Sequence, residues 1–416
     1  MLLIKLAFRN IFRQRRRSLL TALSLTGGYV LSVFSISMQD GSYANAIAFF
    51  TEDHSGHVQI HKDDYLDRAK IHKTIDNPNA IATILDKHPS IASYTTRVFA
   101  PALSYSDDGN TPVQLIGVDV LREKQTSRLY QKITDGNYFA DSPNDDGYFS
   151  AMIGAGVANS LEVGLGDELI LISQGADGSI ANDIFIVSAI VGENNSPDKN
   201  TVFLPLSGAQ SFLTMYGKVH QFSILLTDIS DAREVATELQ SSIPSLSVAP
   251  WQVVESSFYK TMQADREGNL VMLVIIGIIV FIGVLNTVLM SVLERSREFG
   301  VLKAMGSRPS KIVSMITLEV TMLSAMSIVL GLALAIPLTY WFSTAGIELP
   351  EPVDVGGIKM SRMTGLLTPT VFIIPMIGIF FAAIVVSIFP GLRAANVTPT
   401  AAIGGIGNGA SSKVTE

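Results

Sequence analysis

Four long apolar segments constrain this chain more than any other feature of its sequence. They lie at 18–39, 269–293, 312–347 and 364–392, and the second carries no charged residue. Each is at least as long as the ~20 residues with which a helix crosses the hydrocarbon core of a bilayer. The whole chain is 48% hydrophobic and only 16% charged, which is unusual for a water-soluble protein. The sequence therefore predicts four transmembrane helices.

Charged residues are distributed unequally around these segments. Residues 40–269 hold 30 of the 37 acidic residues but only 15 of the 30 basic ones. Basic residues cluster instead before the first segment and directly after the second. Because cytoplasmic loops are enriched in lysine and arginine, we expect both termini and the loop after the second segment to be cytoplasmic. Residues 40–268 then form a large extracytoplasmic domain.

The two ends of the chain are expected to lie on the inner side of the membrane. Residues 1–17 mix apolar and basic side chains, which predicts an interfacial amphipathic helix leading into an uncleaved first span. Its basic run RQRRR is expected to bind anionic lipid headgroups. Nucleic-acid binding is the competing interpretation, but a basic run beside a span is usually topogenic, so no nucleic-acid partner is expected. Residues 393–416 are expected to form a cytoplasmic tail.

The external domain shows the alternation of strands and helices typical of a small α/β layer. Strand-like and helix-like patterns predict one β-α-β unit at 55–102 and a second at 221–251. The residues between them are rich in glycine and aspartate and contain several apolar alternating runs. We therefore predict a β-rich insertion at 103–220 that separates the two units.

The loop after the second span, at 294–311, is short, charged and amphipathic. It reads ERSREFGVLKAMGSRPSK, in which Phe299 supplies apolar surface while Arg297 and Lys303 supply positive charge. Gly306 predicts a left-handed cap at the end of a short helix, and Pro309 predicts the start of the next one. Such an elbow suits a cytoplasmic partner as a docking surface. The alternative, of equal weight, is that its charges only hold the loop inside.

Two further patterns concern how the helices extend and pack. The absence of proline between Gln252 and Met305 predicts one helix of about 80 Å through the second span. On the third span, Ser327, Gly331 and Ala335 place small side chains on one face. Such a stripe predicts close helix packing, either within the chain or at a dimer interface.

No catalytic motif is visible in the sequence. It lacks G-x-x-x-x-G-K-[ST], H-E-x-x-H and G-x-S-x-G, so we expect no enzyme activity and no nucleotide bound by this chain. His54, His57 and His61 are close in sequence, but the last two lie ~13 Å apart along a strand, too far to share a metal. Glu319 in the third segment fits either a proton or ion site or a position near the cytoplasmic interface, and its proximity to Lys311 favours the interface.

Two motifs carry a resemblance to a known family. ERSREFGVLKAMG resembles the E-R-x-x-E-x-G-x-L-x-A-x-G pattern of MacB/FtsX-like ABC transporter permeases, and PGLRAANVTP resembles their P-x-x-R-A-A-x-x-x-P ending. Phe299 stands where the family often has isoleucine. The opening LAFRNIFRQRRRSLL and the segment GHVQIHKDDYLD look most like the lipoprotein-releasing (LolC/LolE-type) branch.

The resemblance implies an α-helical membrane protein of four transmembrane helices, with a large α+β MacB-like periplasmic core domain between the first and second spans. It implies a place in the inner membrane and a second permease copy, identical or paralogous. The elbow would be a coupling helix that docks on a cytoplasmic ABC ATPase dimer, which binds the ATP and magnesium. The residues assigned to this coupling element are Glu294, Arg295, Arg297, Glu298, Gly300, Leu302, Lys303, Ala304 and Gly306.

The resemblance also suggests two functions. The first is a transporter that extracts or releases a lipoprotein or another amphiphile at the outer leaflet. The alternative is an FtsX-like regulator that transmits motion to a periplasmic protein such as a cell-wall hydrolase. A membrane-anchored enzyme is disfavoured by the lack of catalytic motifs. A candidate substrate cavity at the outer ends of the first two spans, for which lipid-facing surface is the alternative, consists of Val33, Phe34, Met38, Leu270 and Leu273.

Overall fold

A computed structural model describes residues 15–396 except 108, 195 and 355–358, together with Arg9 and Arg13. Most of the predicted interfacial helix at 1–17, and the predicted tail beyond residue 396, lie outside the described residues. The chain forms two compact units. The first lies within 1–44, 263–351 and 361–416, and the second within 45–262 and 352–360.

The structure has helices and strands in the following order. The helices are α1 (Arg15–Phe50), α2 (Pro78–Leu85), α3 (Val120–Thr126), α4 (Ala155–Leu161), α5 (Leu206–Phe212), α6 (Ala232–Ser242), α7 (Trp251–Val254), α8 (Ser256–Glu294), α9 (Ser296–Ala304), α10 (Pro309–Thr344) and α11 (Pro369–Asn396). The strands are β1 (Val58–His61), β2 (Ile91–Ser106), β3 (Gly109–Val118), β4 (Ile133–Gly136), β5 (Phe149–Gly154), β6 (Glu168–Gln174), β7 (Ile180–Val191), β8 (Thr201–Pro205), β9 (Gln221–Leu226), β10 (Ser247–Pro250), β11 (Ile347–Asp354) and β12 (Lys359–Met363).

Four of these helices, α1, α8, α10 and α11, are long and apolar enough to cross a membrane. The predicted segment 18–39 lies inside α1, which is 36 residues long and continues into a π-helical turn at Thr51–Ser55. The predicted segment 269–293 lies inside α8, which is 39 residues long. Both helices therefore extend well beyond the ~30 Å of hydrocarbon that their apolar parts can cross.

The ends of the other two long helices differ from the predicted bounds. The segment predicted at 312–347 is helical only to Thr344, because Gly346 has a φ of +66° and Ile347 begins a strand. The segment predicted at 364–392 becomes helical only at Pro369, a residue suited to the first turn of a helix. Strands β11 and β12, which form a two-stranded sheet, were not predicted.

The single helix predicted from Gln252 to Met305 is wrong, because the described chain breaks it twice. Glu255 separates α7 from α8 with a φ of −96° and a ψ of 46°. Arg295 separates α8 from α9 with a φ of −95° and a ψ of 10°. Neither break needs a proline, so the absence of proline was not sufficient evidence for a continuous helix.

The small-residue stripe on α10 packs against α1 within the same chain. Ser327 and Ala335 are each 1% exposed, and a Cβ atom added to Gly331 would lie 2.6 Å from Cδ1 of Tyr29. Beside this contact, the Thr26 hydroxyl donates a hydrogen bond of 3.0 Å to the carbonyl oxygen of Ser327. The stripe therefore lets two helices approach closely in the core of the first unit.

The two predicted β-α-β units interlock in the second unit. Their strands lie in the order β10-β1-β9-β2, and each neighbouring pair is antiparallel. The unit of β1, α2 and β2 is thus split by β9, and the unit of β9, α6 and β10 is split by β1. This is the split β-α-β arrangement of ferredoxin-like layers.

The β-rich residues at 103–220 continue this sheet and do not form a separate one. β2 is 16 residues long; its first part pairs with β9, and its second part pairs with β3 and β6. The predicted boundary at 102 and 103 therefore falls inside a strand. β8 then pairs in parallel with β3, so the sheet extends through β3-β8-β5-β7-β4.

We expect Gly331→Ala to destabilise the first unit by roughly 1–3 kcal/mol, because the added methyl group overlaps the buried ring of Tyr29. Gly378→Ala in α11 is the matched control, since a Cβ there meets nothing within 4 Å. Alanine also favours a helix, so the control should be neutral or slightly stabilising. The measurement is the midpoint of thermal unfolding in detergent. Equal midpoints for the two variants would contradict the packing described here.

Candidate functional site

The predicted elbow forms a short helix between two tight turns. α8 ends at Glu294, Arg295 leaves the helical conformation, and α9 runs to Ala304. Gly306 follows with a φ of +88°, so the predicted left-handed cap is confirmed. Its N–H bonds to the Lys303 carbonyl at 2.9 Å.

The backbone N–H of Ser307 completes the cap, because it donates a hydrogen bond of 3.0 Å to the carbonyl oxygen of Leu302. This pair of hydrogen bonds is the Schellman motif that closes many helices. A Cβ atom added to Gly306 would meet nothing within 4 Å. The requirement for glycine therefore comes from the backbone conformation alone.

One side of α9 is buried and the other is exposed. Phe299 is 1% exposed and Gly300 is also buried. Val301 and Met305 are 48% and 70% exposed, and Arg297 and Ala304 are exposed beside them. A short helix that presents apolar side chains among basic ones has the surface of a protein docking site.

Ion pairs attach the start of this elbow to neighbouring segments. Arg295 Nη1 lies 3.1 Å from Glu319 Oε2 on α10, and Arg295 Nε lies 3.1 Å from Glu298 Oε2 on α9 itself. Glu298 also pairs with Arg13 at 3.0 Å, and Glu294 pairs with Arg17. Four chain segments therefore meet around the first turn of α9.

The far end of α9 is also attached. The ammonium group of Lys303 donates a hydrogen bond of 2.8 Å to the carbonyl oxygen of Ala395, near the end of α11. Helix carbonyls near a C-terminus lack intrahelical partners and carry partial negative charge, so a lysine is favourable there. α9 is thus fastened to α10 at its beginning and to α11 at its end.

A basic groove runs along this region. Its volume is about 480 Å³, and its apolar lining residues are Val301, Leu302 and Met315. The polar residues around it are Arg9, Arg13, Arg295, Arg297 and Glu298. The sequence had indicated the bases on the elbow, but it gave no signal that Arg9 and Arg13 would line the same groove. That proximity depends on tertiary packing.

The residues predicted to line a substrate cavity differ in their environments. Val33 is completely buried in the helix core, so it does not line an open surface in this chain. Phe34 packs on Phe342 with 4.8 Å between ring centroids, and Met38 is half-buried. Leu273 packs against the same core, whereas Leu270 is 63% exposed. Leu270 is therefore the most exposed of the five residues.

The histidines near the start of the second unit make structural contacts. His57 Nδ1 accepts a hydrogen bond from the Leu226 N–H at 2.9 Å, and His61 Nε2 bonds to Gln59 Oε1 at 2.7 Å. Burial lowers the pKa of His57 and of His61 to about 4, so both rings are neutral at pH 7. Among the described residues, no group of three His, Cys, Asp or Glu side chains is arranged to hold a metal.

A buried ionic cluster in the second unit was not predicted. Lys132 Nζ lies 3.3 Å from Asp53 and 2.9 Å from Asp198, and Arg97 pairs with Glu123 at 2.6 Å. Asp53 belongs to the π-helical turn that extends α1, so this cluster fixes the end of that helix to the domain. Its members are far apart in sequence, and no local pattern could have indicated them.

The electrostatics of Glu123 show how such burial is tolerated. Removal from water would raise its pKa, but the charge and hydrogen bonds of Arg97 oppose that effect. Hydrogen bonds from Ser127 and Thr95 also lower the pKa of Glu123. The net result is a pKa below the ordinary value of a glutamate. Glu123 is therefore a carboxylate at neutral pH, and its charge is balanced by the guanidinium group.

Comparisons with known proteins agree with this architecture. The model of the MacB-like periplasmic core domain matches residues 18–242, and that of the FtsX-like permease C-terminal region matches residues 270–399. An uncharacterized ABC transporter permease of Methanocaldococcus jannaschii is 22% identical over 95% of this chain and 96% of its own length.

Two relatives are longer proteins. The macrolide export ATP-binding/permease protein MacB of Nitrobacter winogradskyi is 24% identical over 64% of this chain and 40% of its own length. MacB of Campylobacter jejuni is 25% identical over 35% of this chain and 21% of its own length. This chain thus spans between about a fifth and two fifths of these relatives. With a periplasmic-core model that covers more than half of the sequence, the chain belongs to the MacB/FtsX-like family of ABC transporter permeases.

Proposed function

We propose that this chain couples ATP hydrolysis by a cytoplasmic ABC ATPase dimer to movement of its external domain. ATP and magnesium bind to the ATPase subunits, and the permease binds neither. α9 is the coupling helix, and its exposed side chains Arg297 and Val301 dock on the ATPase together with Met305, which directly follows the helix. The observation that carries the proposal is that α9 presents this face while its two ends are fastened to α10 and α11.

Two of the long helices, α8 and α1, support the mechanical part of the proposal. α8 contains 39 residues, which corresponds to ~58 Å at 1.5 Å per residue. α1 contains 36 residues, and the division between the two units falls inside it and inside α8. A continuous helix transmits displacement along its axis, because its backbone hydrogen bonds resist compression and bending.

The proposed orientation places α9 in the cytoplasm and the second unit in the periplasm, with the chain in the inner membrane. The excess of acidic residues in 40–269, against basic flanks, supports this orientation. The working complex contains a second permease, either identical or paralogous. The proposed substrate is a lipoprotein or another amphiphile that is extracted from or released at the outer leaflet. The branch resemblance of the sequence supports that choice.

The orientation predicts opposite labelling of two introduced cysteines. The chain has no cysteine of its own, and Ser179 and Ser310 are both exposed. In intact cells with a permeable outer membrane, Ser179→Cys should react with a membrane-impermeant maleimide, and Ser310→Cys should react only after lysis. Labelling of Ser310→Cys in intact cells would reverse the proposed topology.

Docking of α9 predicts a specific sensitivity at Gly306. Gly306→Val should disfavour the left-handed turn by roughly 1–3 kcal/mol, because a β-branched residue rarely adopts a φ of +88°. We expect about tenfold weaker retention of the ATPase, with membrane insertion unchanged. Gly306→Asn is the matched control, since asparagine tolerates this conformation and adds a side chain of similar size.

The measurement is co-purification of the ATPase with each variant, together with ATP hydrolysis by the reconstituted complex. Retention by Gly306→Asn and loss by Gly306→Val is the expected result. If the valine variant retains and activates the ATPase as the unmodified chain does, α9 is not the docking element.

The substrate assignment predicts what remains bound to the complex. Mass spectrometry of the complex purified without nucleotide should find a lipoprotein or another amphiphile, and ATP should release it. A stable complex with a periplasmic cell-wall hydrolase, with no bound amphiphile, would favour the regulatory alternative. Leu270→Glu should reduce the bound amphiphile, because it places a charge on an exposed apolar position.

A further inference from the structure

The backbone alone does not fix the position of α9. At its beginning, Arg295 interrupts helical continuity with α8, with a φ of −95° and a ψ of 10°. At its end, Gly306 forms a turn with a φ of +88° before α10 begins at Pro309. Two turns with such conformations allow a nine-residue helix to change its angle by small changes in a few dihedrals. Side-chain contacts therefore help to determine where α9 lies.

The Arg295 side chain makes three contacts at this corner. Its Nε and Nη1 atoms each lie 3.1 Å from a different carboxylate, on Glu298 and Glu319. Its Cζ atom lies 5.4 Å from the ring centroid of Phe299, the buried anchor of α9. The Arg295 side chain is only 11% exposed. A guanidinium group can make these contacts at once because its donors form a planar fork, which a lysine lacks.

Of the two carboxylates, Glu319 is the one that connects α9, through Arg295, to a long helix, α10. Glu298 lies on α9, three residues after Arg295, and its side chain is 41% exposed. Glu319 lies on α10 and its side chain is 19% exposed. A cavity of about 40 Å³, lined by both Arg295 and Glu319 and by hydroxyl groups such as Ser291, adjoins the pair. The pair is therefore largely shielded from bulk solvent and lies beside a small cavity that has both polar and apolar lining residues.

These contacts also decide between the two interpretations of Glu319. A carboxylate that serves as an ion or proton site needs access to the transported ion. The Glu319 carboxylate is instead engaged by an arginine whose charge is permanent. Its position is two turns after Lys311, at the end of α10 that joins the elbow. The interaction therefore belongs to the coupling element.

We propose that Glu319 is a positioning residue for coupling: through Arg295 it holds α9 against α10, so that displacement of α9 by the ATPase moves the membrane helices. This inference rests on the proposed function and adds a specific residue to it. Glu319 lies outside α9, and it acts on the docking helix only through Arg295. Its removal should therefore separate ATP hydrolysis from movement without removing the docking face.

Three variants test the proposal: Glu319→Gln, Arg295→Gln and the double variant. Each is purified with its ATPase, and three quantities are measured. These are the unfolding midpoint, the rate of ATP hydrolysis, and the ATP-induced change in amide hydrogen exchange of residues 45–262. Hydrogen exchange reports movement of the external domain without knowledge of the substrate. The control is the double variant Glu348→Gln with Arg362→Gln, which removes an exposed ion pair of 3.0 Å from the two-stranded sheet of β11 and β12.

We expect each single variant to lower the unfolding midpoint by several degrees, because the remaining charge loses one counter-charge at a site largely shielded from water. In Glu319→Gln, ATP hydrolysis should persist while the ATP-induced exchange change falls about tenfold. The double variant removes both charges, so its midpoint should return towards that of the unmodified complex. Its exchange change should stay low, because the link between the helices is still absent. The control variant should match the unmodified complex.

Two results would overturn the inference. If the double variant recovers both the midpoint and the exchange change, the pair only stabilises the fold. If Glu319→Gln keeps the full exchange change, coupling does not pass through this residue. Failure of the unmodified chain to retain an ATPase would be a different result, because it removes the proposed function and this inference with it.

Discussion

Inside a bilayer, a backbone must satisfy its hydrogen bonds without water, and the first unit depends on this constraint. Its membrane segments are accordingly long, unbroken helices, and its tight turns at Arg295 and Gly306 lie at helix ends. The same constraint removes the hydrophobic drive for helix association, because lipid is as apolar as leucine. Close contact then requires small residues and interhelical hydrogen bonds. The approach of Gly331 to Tyr29, and the bond from Thr26 to Ser327, meet both requirements.

Much of this architecture could be predicted from the sequence because its causes are local. Segment length and hydropathy predicted four long helices, since each crossing consumes ~20 apolar residues. Gly306 predicted the end of α9, because the left-handed conformation after a helix favours glycine. Alternating strands and helices predicted the two β-α-β units. In each case a few neighbouring residues contain the whole signal.

The misses have non-local causes. The break at Arg295 has no proline or glycine to indicate it; there the guanidinium group contacts Glu319, which lies 24 residues further along. Strand β2 extends past the predicted boundary because β3 and β6 pair with its second half. Val33, which was predicted to line a substrate cavity, is buried among the helices of this chain. Apolarity alone does not distinguish a helix face that meets lipid from one that meets other helices.

The ion pairs of the two units also differ in what they can do. In the second unit, Arg97 and Glu123 are 8% and 2% exposed, and both carboxylate oxygens of Glu123 accept hydrogen bonds from the guanidinium group. Breaking such a pair leaves a fully buried charge, so it is suited to a permanent connection. The Arg295 pair in the first unit is less buried, since its two side chains are 11% and 19% exposed, so its separation costs less. A contact that must hold a helix and still permit movement needs this intermediate strength. The difference in burial therefore supports a fixed anchor in the external domain and an adjustable one at the elbow.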